Sequence, residues 1–140
     1  MIRRPPAPVR ERIGHLRVEA QMHEQRGDSA MAWSCLGDAH VLSQPWAVPH
    51  VAVHRAMLGL GWRSGSVREV LGQLVRLIAA GPASVAGRFP LGNSGRADVS
   101  AFAPAPVRED LAALLDGAEL MRSGTKLEVN DQSSAGEIMS

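Results

Sequence analysis

Three groups of helix-breaking residues, Gly27-Asp28, Pro45 and Ser64-Gly65-Ser66, divide the first half of the chain into helix-length segments with no strand-like alternation. In the first segment Val9, Ile13, Leu16, Ala20 and His23 recur at steps of four, three, four and three, one stripe of an α-helix. In the second, Asp28 is a natural N-cap, and Ala32, Leu36 and Ala39 form a small-residue face that lets helices approach closely. Pro45 disfavours helical geometry at Gln44, so this helix ends near Ser43 with Trp46 plugging the turn. Pro49 suits the first turn of a third helix that runs to Arg63.

Ser66-Val67-Arg68-Glu69 has capping-box spacing and opens a fourth helix. Val70, Leu71, Leu74, Leu77 and Ile78 form its stripe, the strongest in the chain, which is expected to face the core with Arg68, Gln73 and Arg76 turned outward. Gly81-Pro82 is expected to punctuate this helix, with room for a further short helical piece to about Gly87. Residues from Phe89 to Pro106 read as an irregular segment that wraps the helices. A last short helix is expected from Glu109 to Leu120, with Leu111, Leu114, Leu115 and Ala118 at helical spacing.

The expected fold is all-α, two stacked helical hairpins plus the wrapping segment and a short C-terminal helix. The likeness to tetratricopeptide repeats is loose. Gly27 and Gly65 lie 38 residues apart (65 − 27), against a repeat of about 34. Residues 1–8, with Pro5, Pro6 and Pro8, read as an extended arm, 9–122 as one helical domain and 123–140 as a disordered tail too poor in apolar surface to offset ordering entropy.

Composition narrows the function classes. A net charge of +1 with acids interleaved among the bases gives no electrostatic case for nucleic acid. No apolar run is long enough for a membrane span, and the N-terminus does not read as a secretory signal. Cys35 is the only cysteine, which excludes an intramolecular disulfide or a cysteine zinc cage and suits a cytoplasmic location. No basic neighbour activates it, and Gly92-Asn93-Ser94-Gly95 lacks the lysine of a phosphate-binding loop, so it reads as a turn. No catalytic triad is visible. The balance is against an enzyme.

The concentrated chemical signal is histidine. All five histidines fall between residues 15 and 54. His50 and His54, four apart, share one helix face in the spacing by which helices chelate metals, and His40 ends the preceding helix across a tight turn. On the first helix, Glu19 and His23 could complete a site, whereas His15 reads as exposed. Imidazoles with one carboxylate suit zinc, copper(II), nickel or ferrous iron, with zinc the first expectation. The alternative is that these histidines hydrogen-bond across the turn and fix the hairpin. The protein would then be a non-enzymatic interaction module with a protein partner; its oligomeric state is open on sequence grounds.

Two stretches carry a family resemblance: Asp38-Ala39-His40-Val41-Leu42-Ser43-Gln44 leading to His50-Val51-Ala52-Val53-His54, and Phe89-Pro90-Leu91-Gly92-Asn93-Ser94-Gly95 leading to Asp98-Val99-Ser100-Ala101-Phe102. Together they resemble the bacterial family called domain of unknown function 3703, over about residues 9–116. The resemblance implies that His40, His50 and His54 belong to one characteristic motif. It implies no activity. The chain departs from the family pattern at Arg96 and Asp98, where small or amide residues are usual.

Overall fold

In the computed structural model, which describes residues 4–86, 92–98 and 105–123, the protein is all-α. Five helices follow in order: α1 (Ala7–Gln25), α2 (Ser29–Ser43), α3 (Ala47–Arg63), α4 (Val67–Val85) and α5 (Glu109–Ser123). Short turns make α1/α2 and α3/α4 hairpins, α2 and α3 join them, and α5 rests on α1 and α2.

The two hairpin turns are built alike. Gly27 and Gly65 adopt φ of +78° and +70°, the left-handed conformation that a Cβ disfavours. Behind each, an N–H of the second residue past the cap reaches back: Asp28 to the His23 carbonyl and Ser66 to the Gly61 carbonyl, both at 2.9 Å. The same two residues then cap the next helix, Asp28 accepting from Met31 N–H at 3.1 Å and Ser66 Oγ from Glu69 N–H at 3.3 Å. Only this half of the expected capping box forms. The Ser66 N–H is already committed to Gly61, and the Glu69 carboxylate turns elsewhere.

The core matches the stripes of the first three helices. Val9, Ile13, Leu16 and Ala20 of α1 pack with Ala32, Leu36 and Ala39 of α2 and with Val53, Met57 and Leu60 of α3. Leu16, Leu42 and Met57 are at most 1% exposed, and each such burial contributes about 1.5–3 kcal/mol. Leu111 and Ala118 of α5 close the cluster. Cys35 is buried here, and burial raises its thiol pKa, as an inert core cysteine requires.

Three expectations are corrected. First, α1 starts at Ala7 and takes Pro8 into its first turn, where a missing N–H costs nothing, so the extended stretch is shorter than residues 1–8. Second, Gly81-Pro82 does not punctuate α4: the further helical piece is continuous with it to Val85, with Pro82 inside the helix. Third, α4 is rotated from the expected orientation, although Val70 and Leu77 of its stripe are half-buried and Arg68 is exposed as expected. Glu69 and Gln73 are buried, while Leu71, Leu74, Val75 and Ile78 are exposed. Amphipathic periodicity defines a stripe but not its direction. Here the inward positions belong to polar side chains with fixed partners, described below. Residues 124–140, which include most of the expected disordered tail, and residues 89–91 and 99–104 of the Phe89 to Pro106 segment lie outside the described residues.

Candidate metal centre

His40 occupies the last turn of α2, and His50 and His54 lie on one face of α3. The reversal between them is short: α2 ends at Ser43, Trp46 N–H donates to the Ser43 carbonyl at 2.9 Å, and His50 N–H donates to the Trp46 carbonyl as α3 begins. The two helix ends are thereby held side by side. The three imidazoles form a nearly regular triangle, with ring centroids 4.7, 4.8 and 4.9 Å apart. All three residues are buried, at 4%, 5% and 2% exposure.

Their Nε2 atoms converge. Nε2 of His40 lies 2.9 Å from Nε2 of His50 and 3.1 Å from Nε2 of His54. The outer nitrogens explain why. His40 Nδ1–H donates to the Asn93 carbonyl at 2.7 Å, and His54 Nδ1–H donates to Gln73 Oε1 at 2.7 Å. A neutral imidazole carries one N–H, so these two bonds leave a lone pair on Nε2 of both rings. His50 can donate to at most one of them. The other contact sets lone pair against lone pair, and only a proton or a metal cation between the nitrogens relieves it.

A proton is disfavoured. The pKa of His40 is held well below the ordinary imidazole value, chiefly by burial and then by repulsion from His54 and His50, with the Asn93 carbonyl offsetting part of it. Burial also lowers His54; its bond to Gln73 opposes the shift and the nearby Arg76 charge adds to it. Zinc to imidazole bonds of about 2.0–2.1 Å place tetrahedral ligand atoms about 3.3 Å apart. The separations of His40 Nε2 from the other two, 2.9 and 3.1 Å, are within a few tenths of an ångström of that value, and the three ligand atoms all lie within 4.8 Å of one another. The donor set fits a borderline transition-metal ion.

The surrounding groups fix the rings. Gln73, fully buried on α4, donates its Nε2–H to the Gly95 carbonyl at 2.8 Å, which orients Oε1 toward His54. Asn93 is buried as well, and its Oδ1 accepts from Gly95 N–H at 2.8 Å. Gln44 Oε1 accepts from Gly92 N–H at 3.2 Å, tying the loop to the end of α2. Gly95 has φ +75°, and a Cβ there would come within 2.8 Å of the His40 ring. The loop 92–98 therefore caps the site. Behind Gln73, Glu69 accepts from Ala97 N–H at 3.1 Å and from Arg96 at 3.2 Å, and the Arg96 guanidinium lies 4.9 Å from the Trp33 ring centroid. Arg96 and Asp98 form part of this anchor, with 3.6 Å between their side chains.

The chain matches the profile of the family described as protein of unknown function DUF3703 over residues 8–115 of its 140. It belongs to that family. No curated protein and no solved structure matches it. In this DUF3703 member, His40, His50 and His54, the three histidines grouped on sequence grounds, are brought together by the fold, and they are the potential metal-holding group among the described residues.

Glu19 and His23 are not in that group. Glu19 pairs with Arg12 at 3.3 Å and His23 with Asp28 at 3.5 Å, each partly open to solvent. The α1 stripe stays buried only to Ala20; at His23 the helix is one turn from its end and the ring bridges to the cap of α2. His15 is exposed, as expected. Sequence reasoning missed Gln73, Asn93, Gln44 and Glu69. The available signal was the spacing of Glu69 and Gln73, four apart on α4, which aligns two polar residues on one face.

Proposed function

We propose that this protein binds a transition-metal ion, zinc in the first instance, through Nε2 of His40, His50 and His54. The observation that carries the reading is the convergence of acceptor nitrogens whose opposite edges donate to Asn93 and Gln73. Orientation of a histidine ligand by a hydrogen bond from its other ring nitrogen is the usual support of a metal site. The burial of all three rings suits a retained ion, one that locks α2, α3 and the 92–98 loop together, better than an open catalytic position. The role in this reading is metal binding in a cytoplasmic homeostasis setting, without catalysis.

The test is elemental analysis of tag-free protein alongside the His50→Ala/His54→Ala double variant. One equivalent of metal in the parent and none in the variant supports the reading. Equal metal content in both overturns it. The second reading, an interaction module in which these histidines are structural, is favoured by one observation, the apolar outer face of α4.

A further inference from the structure

We infer that the cleft between α1 and α3 binds a small phosphate ester, with its phosphate held between Arg17 and Arg55 and a short aliphatic part along the floor. Two successive reversals make α1 and α3 run parallel, each packed on α2 and only sparsely on one another. The gap between them is a cleft of about 360 Å³, inside the range of about 300–1,000 Å³ found for small-molecule sites. None of the three imidazoles lines it, so this site and the metal centre are separate.

The two ends of the cleft differ in charge. At one end Arg63 of α3 donates to Glu24 of α1 from Nε at 2.6 Å and from Nη2 at 2.9 Å. That pair neutralises itself and closes the cleft. Arg17 lies seven residues before Glu24 and Arg55 eight before Arg63, which puts each about 10–12 Å along the parallel helices from the pair. They stand on opposite walls at nearly the same level, and neither has a hydrogen bond or an ion pair among the described residues. The lining carries three arginines against one carboxylate, an excess of two charges (3 − 1), in a chain whose net charge is only +1.

Two unopposed guanidinium groups select phosphate. Each is a planar fork of donors that matches phosphate oxygens, and such charge-assisted bonds are stronger than neutral ones. A carboxylate brings two oxygens and one charge, enough for a single fork. The floor selects the rest of the ligand. Ala20, Leu36, Ala56 and Leu60 lie between the two ends and offer apolar surface, while no aromatic ring lines the cleft for a nucleobase to stack on. Gly59 keeps the far end open, because a Cβ there would lie 3.0 Å from Arg63 Nη1.

Isothermal titration of the tag-free full chain with n-butyl phosphate, inorganic phosphate and pentanoate tests this. n-Butyl phosphate should bind at one site, more tightly than inorganic phosphate, which lacks the aliphatic part, and than pentanoate, which lacks the second charge. Arg17→Gln/Arg55→Gln should weaken it by about tenfold or more with helicity and metal content retained, since both arginines are exposed. Gly59→Leu should bring the affinity for the ester down toward that for inorganic phosphate. Arg68→Gln, an exposed position on α4 outside the cleft, should change nothing. If the double variant does not fold, NMR of the unaltered protein replaces it, and the Nε–H signals of Arg17 and Arg55 should move on titration while that of Arg68 stays. The absence of saturable binding overturns the inference. So does pentanoate or inorganic phosphate binding as tightly as the ester, affinity kept in the double variant or lost in Arg68→Gln, or Arg17 and Arg55 signals that do not move. Tighter binding to phosphatidic acid vesicles than to the ester would assign the phosphate to a lipid surface and overturn it as well.

Discussion

Nε2 of His40 and Nε2 of His54 face each other at 3.1 Å while Nδ1 of each ring donates to a separate buried oxygen. Two acceptors at that distance are mutually repulsive, so the fold holds them together against their own electrostatics. A cation converts the same contact into a shared ligand set. The further consequences concern the groups that impose this geometry.

Gln73 imposes half of it. Replacing it with leucine keeps the approximate volume but leaves the His54 Nδ1–H and the Gly95 carbonyl without their partner. Such losses cost about 1–3 kcal/mol when the groups stay buried, and supporting residues of this kind are worth about 10–100-fold in metal affinity. Gln73→Leu should therefore lower the melting temperature of the metal-free chain and weaken zinc binding in a competition titration. Unaltered affinity would mean that His54 is not oriented by Gln73.

Gly95 and Gly27 form a matched pair. Both have positive φ, but a Cβ on Gly27 meets nothing within 4 Å whereas one on Gly95 runs into the His40 ring. Gly27→Ala should cost only the backbone term of about 1–2 kcal/mol and leave metal content unchanged. Gly95→Ala should cost more and lower metal content, because His40 must move. Thermal melts and metal analysis on the two variants separate the effects.

The buried carboxylate of Glu69 relies on Arg96 and the Ala97 amide. Arg96→Ala leaves it with one fewer donor and removes the guanidinium from the Trp33 face. Removing one partner of a buried pair costs about 3–5 kcal/mol; because Arg96 is itself partly exposed, about 1–3 kcal/mol is expected here. Urea denaturation measures it. Metal stoichiometry should persist, since Arg96 touches none of the three imidazoles.

For the metal-free chain the pH dependence has a definite sign. The pKa values of His40 and His54 are depressed on folding, so the unfolded chain binds more protons once the pH falls below the ordinary imidazole value of about 6.5. Their effect is absent above that pH and grows as pH falls toward the folded-state values, at up to about 1.4 kcal/mol per pH unit for each group. The urea midpoint measured with chelator should drop between neutral and mildly acidic pH, and less steeply in His40→Gln. A midpoint independent of pH in this window would contradict the burial of these rings as neutral bases.

Local chemistry was legible in the sequence and long-range placement was not. Asp28, Ser66, Gly27 and Gly65 announce both hairpin turns because a cap is decided within a few residues. His40, His50 and His54 were readable as a group because one turn and one helical repeat bring them together. The His40 contact with Asn93 spans 53 positions, and no local pattern encodes a loop folding back over a helix end. The α4 face was misread for a related reason. Val70 to Ile78 give a strong stripe, but its direction is decided by Gln73 and Glu69 meeting His54, Gly95 and Arg96, all distant in sequence. His23 shares helical spacing with the core stripe and lies four residues from Glu19, yet each has a nearer partner, Asp28 for His23 and Arg12 for Glu19.

X-ray absorption at the zinc edge, on tag-free protein loaded with one equivalent and then desalted, tests the central claim most directly. The account predicts a retained ion with three imidazole nitrogens at about 2.0–2.1 Å, and loss of that signature in His50→Ala/His54→Ala. Zinc lost on desalting, or a retained ion whose ligands are oxygen or sulfur instead of these imidazoles, would contradict it.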